Sequence, residues 1–480
     1  MLGSVGVRDV AVLGASVAGM STALLLARAG HRVTLFERDL LHVGEPLDAV
    51  AWERRGIAHF MQPHAFIPRG RVELRQLLPD VYDALVEAGA SDVDLRPKLP
   101  GEPRPDDVDL QYMGVRRPLI EWALRCAVLD EQRIQVQDGV SASGVGFDGD
   151  RVTSVRFGDA ELEVDLVVDA CGRRTATADW VGDTDGVETT DCGVIYYSRY
   201  YRVRDGVELP PGPWLVGPRG DLGYLAYSTF PGDNRTFAGL LAVPPGVPGW
   251  RALKDAVAFE AAMASIPTMR GWINPDSVEP LTDVMTMAGL RNTIRNYDPT
   301  STKGLVPVGD ALCHTDPVLA HGLAFALIHA GALTGALRDH ADVGDAAVAY
   351  AEAVTPALRE RFAFASELDA QRQRMWLGEP VDLAHHDGDY ALFSMVAAAA
   401  AATVDADAAR AFVRRIGLLD STAVLDSDEA LQRRIETLFQ EIARKPRPAA
   451  GPTREDMMAL TAAATTDTSA SVPTAASQPS

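Results

Sequence analysis

Apolar and polar positions alternate along this chain with different periods in different stretches. Residues 10–13 are an unbroken apolar run, the pattern of a strand covered on both faces. Residues 20–29 place apolar and alanine side chains at helical spacing, and Gly30 stands where a C-cap glycine belongs. Residues 32–36 predict a second strand with Glu37 at its end, so residues 10–38 make a βαβ unit. An amphipathic helix follows over 72–88. Another starts at Arg116-Arg117-Pro118, with proline in a favourable first-turn position. Strands are predicted at 134–136 and 151–157, and the alternation over 161–169 closes in a buried-looking run.

From 192 to 243 the pattern turns aromatic and β-rich, with Gly-Asp and Pro-Gly turns, which predicts an antiparallel sheet. A helix over 255–264, a strand pair or long strand over 284–297 and a buried strand at 304–308 follow. Helices are then predicted over 322–338, 346–376 and 390–443. From Pro446 the Ala/Thr/Ser/Pro-rich composition predicts a disordered tail.

The turn between the first strand and helix is Gly14-Ala-Ser16-Val17-Ala18-Gly19. A helix N-terminus opened by such a turn offers free N–H groups and the positive end of its dipole to a pyrophosphate. Glu37 follows Gly14 at close to the roughly 20-residue spacing of an acid that accepts from a ribose hydroxyl. Ser16 stands where the fingerprint has its middle glycine, and its hydroxyl can itself bond a phosphate oxygen. An ordinary Gly-rich βαβ turn would share the glycines. The ordered sequence of strand, turn, helix, cap and acid favours a dinucleotide site.

Composition narrows the field. The 480 residues imply more than one domain, and a net charge of −21 opposes binding to nucleic acid or anionic membranes. No run approaches the roughly 20 apolar residues of a membrane span, and the early first strand leaves no room for a secretion signal, so a cytoplasmic location is expected. The four cysteines (Cys126, Cys171, Cys192 and Cys313) form no C-x-x-C and no His/Cys cluster; reduced thiols and no metal are expected.

Gly309-Asp310, Pro317 and Gly322-Leu323 add a second motif. Together with the Gly14–Glu37 fingerprint and the Arg117-Pro-Leu-Ile-Glu helix start, over roughly residues 8–345, the chain resembles the FAD-dependent group A monooxygenases. That superfamily also includes flavin halogenases and geranylgeranyl reductases. The resemblance implies an α/β fold: a Rossmann-like FAD-binding domain of the glutathione-reductase type, an inserted antiparallel β-sheet substrate domain and a C-terminal helical region. The expected division is 1–75, 105–190 and 295–345 for FAD; 76–104 and 191–294 for substrate; 346–445 helical; 446–480 the tail. It implies FAD contacts from Gly14, Ser16, Val17, Ala18, Gly19, Glu37, Arg38, Arg55, Arg117, Gly309, Asp310, Pro317, Gly322 and Leu323. Asp310 would bond the ribityl chain, Arg117 the ribityl–pyrophosphate region, and Pro317 would lie beside the isoalloxazine. The helix from Gly322 would aim its positive end at the ring's N1–C2=O edge.

Three departures stand out. Leu319 replaces a glycine usual three residues before Gly322. Cys171 replaces the aspartate of an Asp-Gly segment associated with FAD and NAD(P)H binding, which motivates a separate flavin reductase as the source of reducing equivalents. His321 precedes Gly322, near the flavin, as a positional rather than a basic residue. No catalytic side chain beyond the flavin is expected. The Trp-x-Trp-x-Ile-Pro motif of halogenases is missing, and so is any lysine between Glu37 and Lys98, which argues against halogenation. The segment from Arg55 to Pro79 resembles the branch that includes polyether polyketide epoxidases. The expected activity is transfer of one oxygen atom from O2, through a flavin C4a-hydroperoxide, to a hydrophobic polyketide-like metabolite of the antibiotic-biosynthesis kind. Hydroxylation and epoxidation both stay open. The alternative is a reductase or redox-neutral enzyme of the geranylgeranyl-reductase type. Tyr224, Tyr227 and Met287 are the candidate substrate-pocket residues, each equally compatible with plain core.

Overall fold

The computed structural model describes residues 6–57, 59–182, 186–210, 217–445 and 448–470. Its first layer is a five-stranded parallel sheet. In chain order the strands are β1 (Asp9–Leu13), β2 (Arg32–Glu37), β3 (Ile134–Asp138) and β4 (Leu166–Asp169), closed by Leu305–Pro307. Their spatial order puts Leu305–Pro307 beside β4, then β1, β2 and β3. The continuous apolar runs follow from burial on two faces. Val10, Val12, Val33 and Leu35 face α1 (Val17–Arg28) and the helix Gly322–Asp339. Ala11, Leu13 and Val167 face Val145, Val152 and Val155 of a three-stranded antiparallel sheet.

α2 (Arg117–Asp130) opens with Pro118 in its first turn and covers the same face as α1. The single helix expected over 72–88 is two, Pro68–Leu77 and Pro79–Glu87. Leu78 leaves helical geometry at φ −137°, ψ 62°, because a residue preceding proline is pushed out of the α region.

The second sheet is antiparallel: β5 (Ile195–Val203), β6 (Ala226–Pro231) and β7 (Thr236–Val243) at its centre, with Arg219–Asp221 on one edge and Val278–Pro280 on the other. Its outer face packs on α3 (Ala256–Ser265), which Asp255 caps through the N–H groups of Val257 and Ala258. The stretch over 284–297 forms two strands in different sheets: Met285–Met287 pairs with β5, and Arg291–Arg295 pairs with Val187–Asp191. α4 (Gly322–Asp339) and the long α5 (Val343–Leu377) lead into the C-terminal helices. Among the described residues no helix is long and apolar enough to cross a membrane.

The expected disordered tail needs correction. Arg454–Ala470 forms α6, whose buried Met457 joins Trp250, Phe259 and Ala262 in the core outside the second sheet. Thr453 and Asp456 cap its start reciprocally, and Tyr224 Oη donates to Pro452 O at 2.6 Å. The Ala/Thr-rich composition concealed a capped helix that buries Met457 and Thr461. Residues 446–447 and 471–480 of that expectation lie outside the described residues.

Candidate functional site

A cleft of about 300 Å³ opens at the carboxyl ends of β1, β2, β4 and the strand Leu305–Pro307, where open parallel sheets bind ligands. Gly14, Ser16, Val17, Ala18, Glu37, Arg38, Arg55, Arg117, Gly309, Asp310, Gly322 and Leu323 all line it. Two helix N-termini reach it, those of α1 and α4. Neither has a side-chain cap or an acidic residue in its first turn. Their leading N–H groups and dipoles are left for a ligand.

The glycines are there for contact distance. Gly14 has φ +99°, and a Cβ on it would sit 2.6 Å from Ala170 O. A Cβ on Gly19 would fall 1.7 Å from Gly14 O, so Gly19 packs the helix on its strand and does not line the cleft. Gly309 has φ +59°, and its Cβ would meet the Ala18 methyl at 2.9 Å.

Glu37 organises the turn. Its Oε2 accepts from Ala15 N–H at 2.8 Å and from Arg54 Nη2 at 3.1 Å, and its Oε1 accepts from Asp39 N–H at 3.0 Å. Arg54 is buried among Glu37, Asp39 and Glu121, with Nε and Nη1 lacking hydrogen-bond partners. Arg117 fans out to Glu121 Oε1 (3.0 Å), His59 Nε2 (2.9 Å) and Ser16 Oγ (2.7 Å). Burial and the adjacent Arg117 charge hold both histidines beside it neutral, His59 down to about 2 and His64 down to about 3. His64 Nδ1 donates to Gln62 O at 2.8 Å, which leaves its Nε2 facing Arg117.

The loop after Leu305–Pro307 is held from behind. Gly309 N–H donates to His329 Nδ1 at 2.9 Å, and burial depresses His329 to about 4, so it stays the neutral acceptor this bond needs. Arg295 donates to Ala311 O and Arg173 O, both at 2.9 Å, tying this loop to the one after β4. Cys171 lines the cleft as an exposed residue, and the surrounding protein and the Asp169 charge push its thiol up, so it is not a thiolate. Arg38, Arg54, Arg55, Arg117, Arg173 and Arg174 surround the cleft against Glu37 and Asp310. A positive cleft in a chain of net charge −21 selects an anion locally. Arg54, His59, Arg173, Arg174 and His329 were not among the expected site residues. The paired Arg54-Arg55 and Arg173-Arg174 were visible in the sequence; nothing local marked His59 or His329.

Pro317 and His321 stand off the cleft. Pro317 opens the turn Pro317–Leu319, capped by Asp316. His321 is buried, its Nδ1 has no hydrogen-bond partner, burial lowers its pKa, and its ring meets Phe325 edge-on. Asp316 accepts from Tyr196 Oη at 2.5 Å and from Arg372 at 2.7 Å. Asp369 also accepts from Arg372, at 2.7 Å, and burial beside the Asp316 charge pushes it up. Cys192, Asp316 and Asp369 are close enough to hold a metal, but this arginine already binds both carboxylates.

Tyr224 and Tyr227 do not face the cleft side of the second sheet. Both belong to the core outside it, Tyr224 stacked on Trp250 and Tyr227 Oη accepting from Thr268. The strand period puts Tyr227 on the outer face of β6, and Tyr224 reaches the same core from the bend that precedes the strand. Met287 lies on the inner face with Tyr196, Leu240, Ala242 and Val318.

No family model matches the chain. Protein Rv3254 of Mycobacterium tuberculosis is 28% identical over 380 residues, covering 70% of this chain and 74% of its own length. Among solved structures, flavin-dependent brominase Bmp2 aligns with a TM-score of 0.61 at 16% identity, over 92% of this chain and 100% of Bmp2. PqsL of Pseudomonas aeruginosa, a probable FAD-dependent monooxygenase, aligns at 0.56 and 17%, over 78% and 99%. A mutant of 2-methyl-3-hydroxypyridine-5-carboxylic acid oxygenase aligns at 0.54 and 16%, over 77% and 93%. The chain therefore has the fold that these flavin-dependent proteins share.

Proposed function

We propose that the chain is an FAD-dependent monooxygenase that transfers one oxygen atom from O2 to a hydrophobic specialised metabolite, by hydroxylation or epoxidation. The observation that carries this reading is the cleft itself. Two uncapped helix N-termini, an acid at the end of β2 and a ring of arginines converge there on one cleft. Glu37 and Arg38 would hold the adenosine ribose, the start of α1 with Ser16 and Arg117 the pyrophosphate, and Asp310 the ribityl chain. The start of α4 would face the flavin ring. Val140, Ala142 and Trp180 supply apolar walls for the adenine.

When bound, FAD supplies the electrons and the site of O2 activation. The chain then binds, orients and excludes water. Neutral His59 and His64 keep Arg117 aimed at an anion without adding charge of their own, and His329 fixes the backbone that presents Asp310. The inner face of the second sheet supplies the apolar substrate wall. We further infer that a separate flavin reductase passes on the electrons of NAD(P)H. This rests on Cys171 replacing the family aspartate.

The test is turnover of reduced, FAD-loaded protein with heavy-isotope O2 and lipophilic candidate substrates. Incorporation of one labelled oxygen supports the reading. A product gaining two hydrogens and no oxygen, or a brominated product when bromide is present, contradicts it. Omitting the flavin reductase tests the electron route: rapid reduction by NADPH alone would refute that part.

A further inference from the structure

Arg219 is a cation without a counter-charge on the inner face of the second sheet. Register places Arg219, Ser228, Leu240 and Ser198 in one row across the strands, and directly paired residues point to the same face. On β6 the inward residues Ala226, Ser228 and Phe230 are part-exposed while outward Tyr227 and Thr229 are buried. The strand lies inside the sheet, so the opening is on its inner side. Phe230, Met287, Val318 and Met375 give that opening an apolar rim.

Among the described residues Arg219 has no hydrogen bond or ion pair; its one titratable neighbour is Tyr112. Asp221, next on the same face, is engaged elsewhere, accepting from Trp376 Nε1 at 2.9 Å and from Gly223 N–H at 2.8 Å. Tyr112 is 5% exposed, and Arg219 is in turn the one charge that reaches its hydroxyl. Arg219 is part-buried and Tyr112 buried; desolvation lowers the guanidinium and pushes the phenol up to about 12, and among the described residues neither side chain has an acceptor. An arginine cannot escape this cost by losing its proton. An incoming anion removes it.

We propose that Arg219, with the Tyr112 hydroxyl, binds the carboxylate of an otherwise apolar substrate lying along the inner face of the sheet. The proposal rests on the monooxygenase reading and sharpens its substrate class. Arg219 and β5 are three strand spacings apart, about 14 Å at about 4.8 Å each. Tyr196 of β5 donates to Asp316, which caps the turn leading into the start of α4, the end assigned above to the flavin ring. An acid anchored at Arg219 and oxidised near that turn therefore has an extended apolar body, as in a long-chain or polycyclic carboxylic acid.

Calorimetric titration of two matched pairs, dodecanoate against dodecanamide and pyrenebutyrate against its amide, tests this on the protein with and without FAD. At least one acid is expected to bind tenfold or more tighter than its amide. Arg219→Gln should cut that preference below threefold, and Arg219→Lys should keep part of it. Neither variant should change FAD affinity, and the thermal midpoint of Arg219→Gln should not fall, because an unpaired charge has been removed. An unmodified protein that ignores the carboxylate in both pairs, or a preference that survives Arg219→Gln, overturns the proposal. Failure of the unmodified protein to bind FAD would instead overturn the reading on which it rests, and is read separately.

Discussion

Replacing Glu37 by glutamine removes a charge and one acceptor from the centre of the βαβ turn while keeping its volume. The carboxylate accepts from Ala15 N–H through one oxygen and from Asp39 N–H through the other, with Arg54 sharing the first. An amide can satisfy only one of those N–H groups and must point its own NH2 at the other. A buried donor left unsatisfied costs about 1–3 kcal/mol. Arg54 also loses its closest carboxylate, though Asp39 at 3.5 Å and Glu121 at 3.6 Å remain and keep that loss at the low end for a buried pair. The sum is about 3 kcal/mol, or roughly 6 °C in thermal midpoint for domains of this size. A lost charge-assisted bond to the ribose, about 1.5–3 kcal/mol, weakens FAD binding by roughly ten- to a hundredfold. Thermal unfolding of the apoprotein and a flavin-fluorescence titration measure the two separately. A midpoint within about 1 °C and a Kd within about threefold of the unmodified protein would refute the reasoning. Once saturated with FAD, the variant should make the same product, since the proposed placement sets Glu37 at the adenosine end, far from the reacting carbon.

Other changes probe different parts of the cleft. Gly14→Ala puts a Cβ 2.6 Å from Ala170 O at φ +99°, and should abolish FAD retention in a flavin titration while costing roughly 1–2 kcal/mol or more in stability. His329 refuses a proton that the unfolded chain takes up near pH 6.5, so its contribution is full above that pH and declines by about 1.4 kcal/mol per unit as pH falls toward 4. His329→Gln can still accept from Gly309 N–H and should flatten that share of the slope in pH-dependent unfolding; an unchanged slope would contradict the assignment. Truncation after residue 447 removes Met457 and the acceptor of the Tyr224 hydroxyl. It should lower the midpoint by several degrees with FAD affinity intact, and an unshifted midpoint would mean that α6 contributes nothing to the core.

The features of the first βαβ unit were legible because they are local. Strand, small-residue turn, helix and acid follow one another within the first βαβ unit, and each signal rests on neighbouring residues. The motifs at Arg117 and Gly309-Asp310 were found only by resemblance, yet they fall in the same cleft. What stayed hidden depends on tertiary contact. His329 meets Gly309 across a loop and a helix, and His59 meets Arg117 from a segment without periodicity. In β6 the alternation separated two faces without saying which one looks inward, and that single choice moved Tyr227 into the outer core. α6 was lost because Ala/Thr-rich composition describes disordered tails and exposed helices alike, and the difference lies in the burial of Met457 and Thr461. Pro79 should have broken the helix over 72–88 on local grounds alone.

An equilibrium titration of the purified chain with FAD, FMN and NAD, followed by flavin fluorescence and absorbance, tests the central claim most directly. The proposed placement predicts one FAD per chain, with FMN and NAD bound at least a hundredfold more weakly, because only FAD would engage Glu37, the α1 N-terminus, Arg117 and Asp310 together. NAD binding as tight as FAD, or no saturable flavin site, would contradict it.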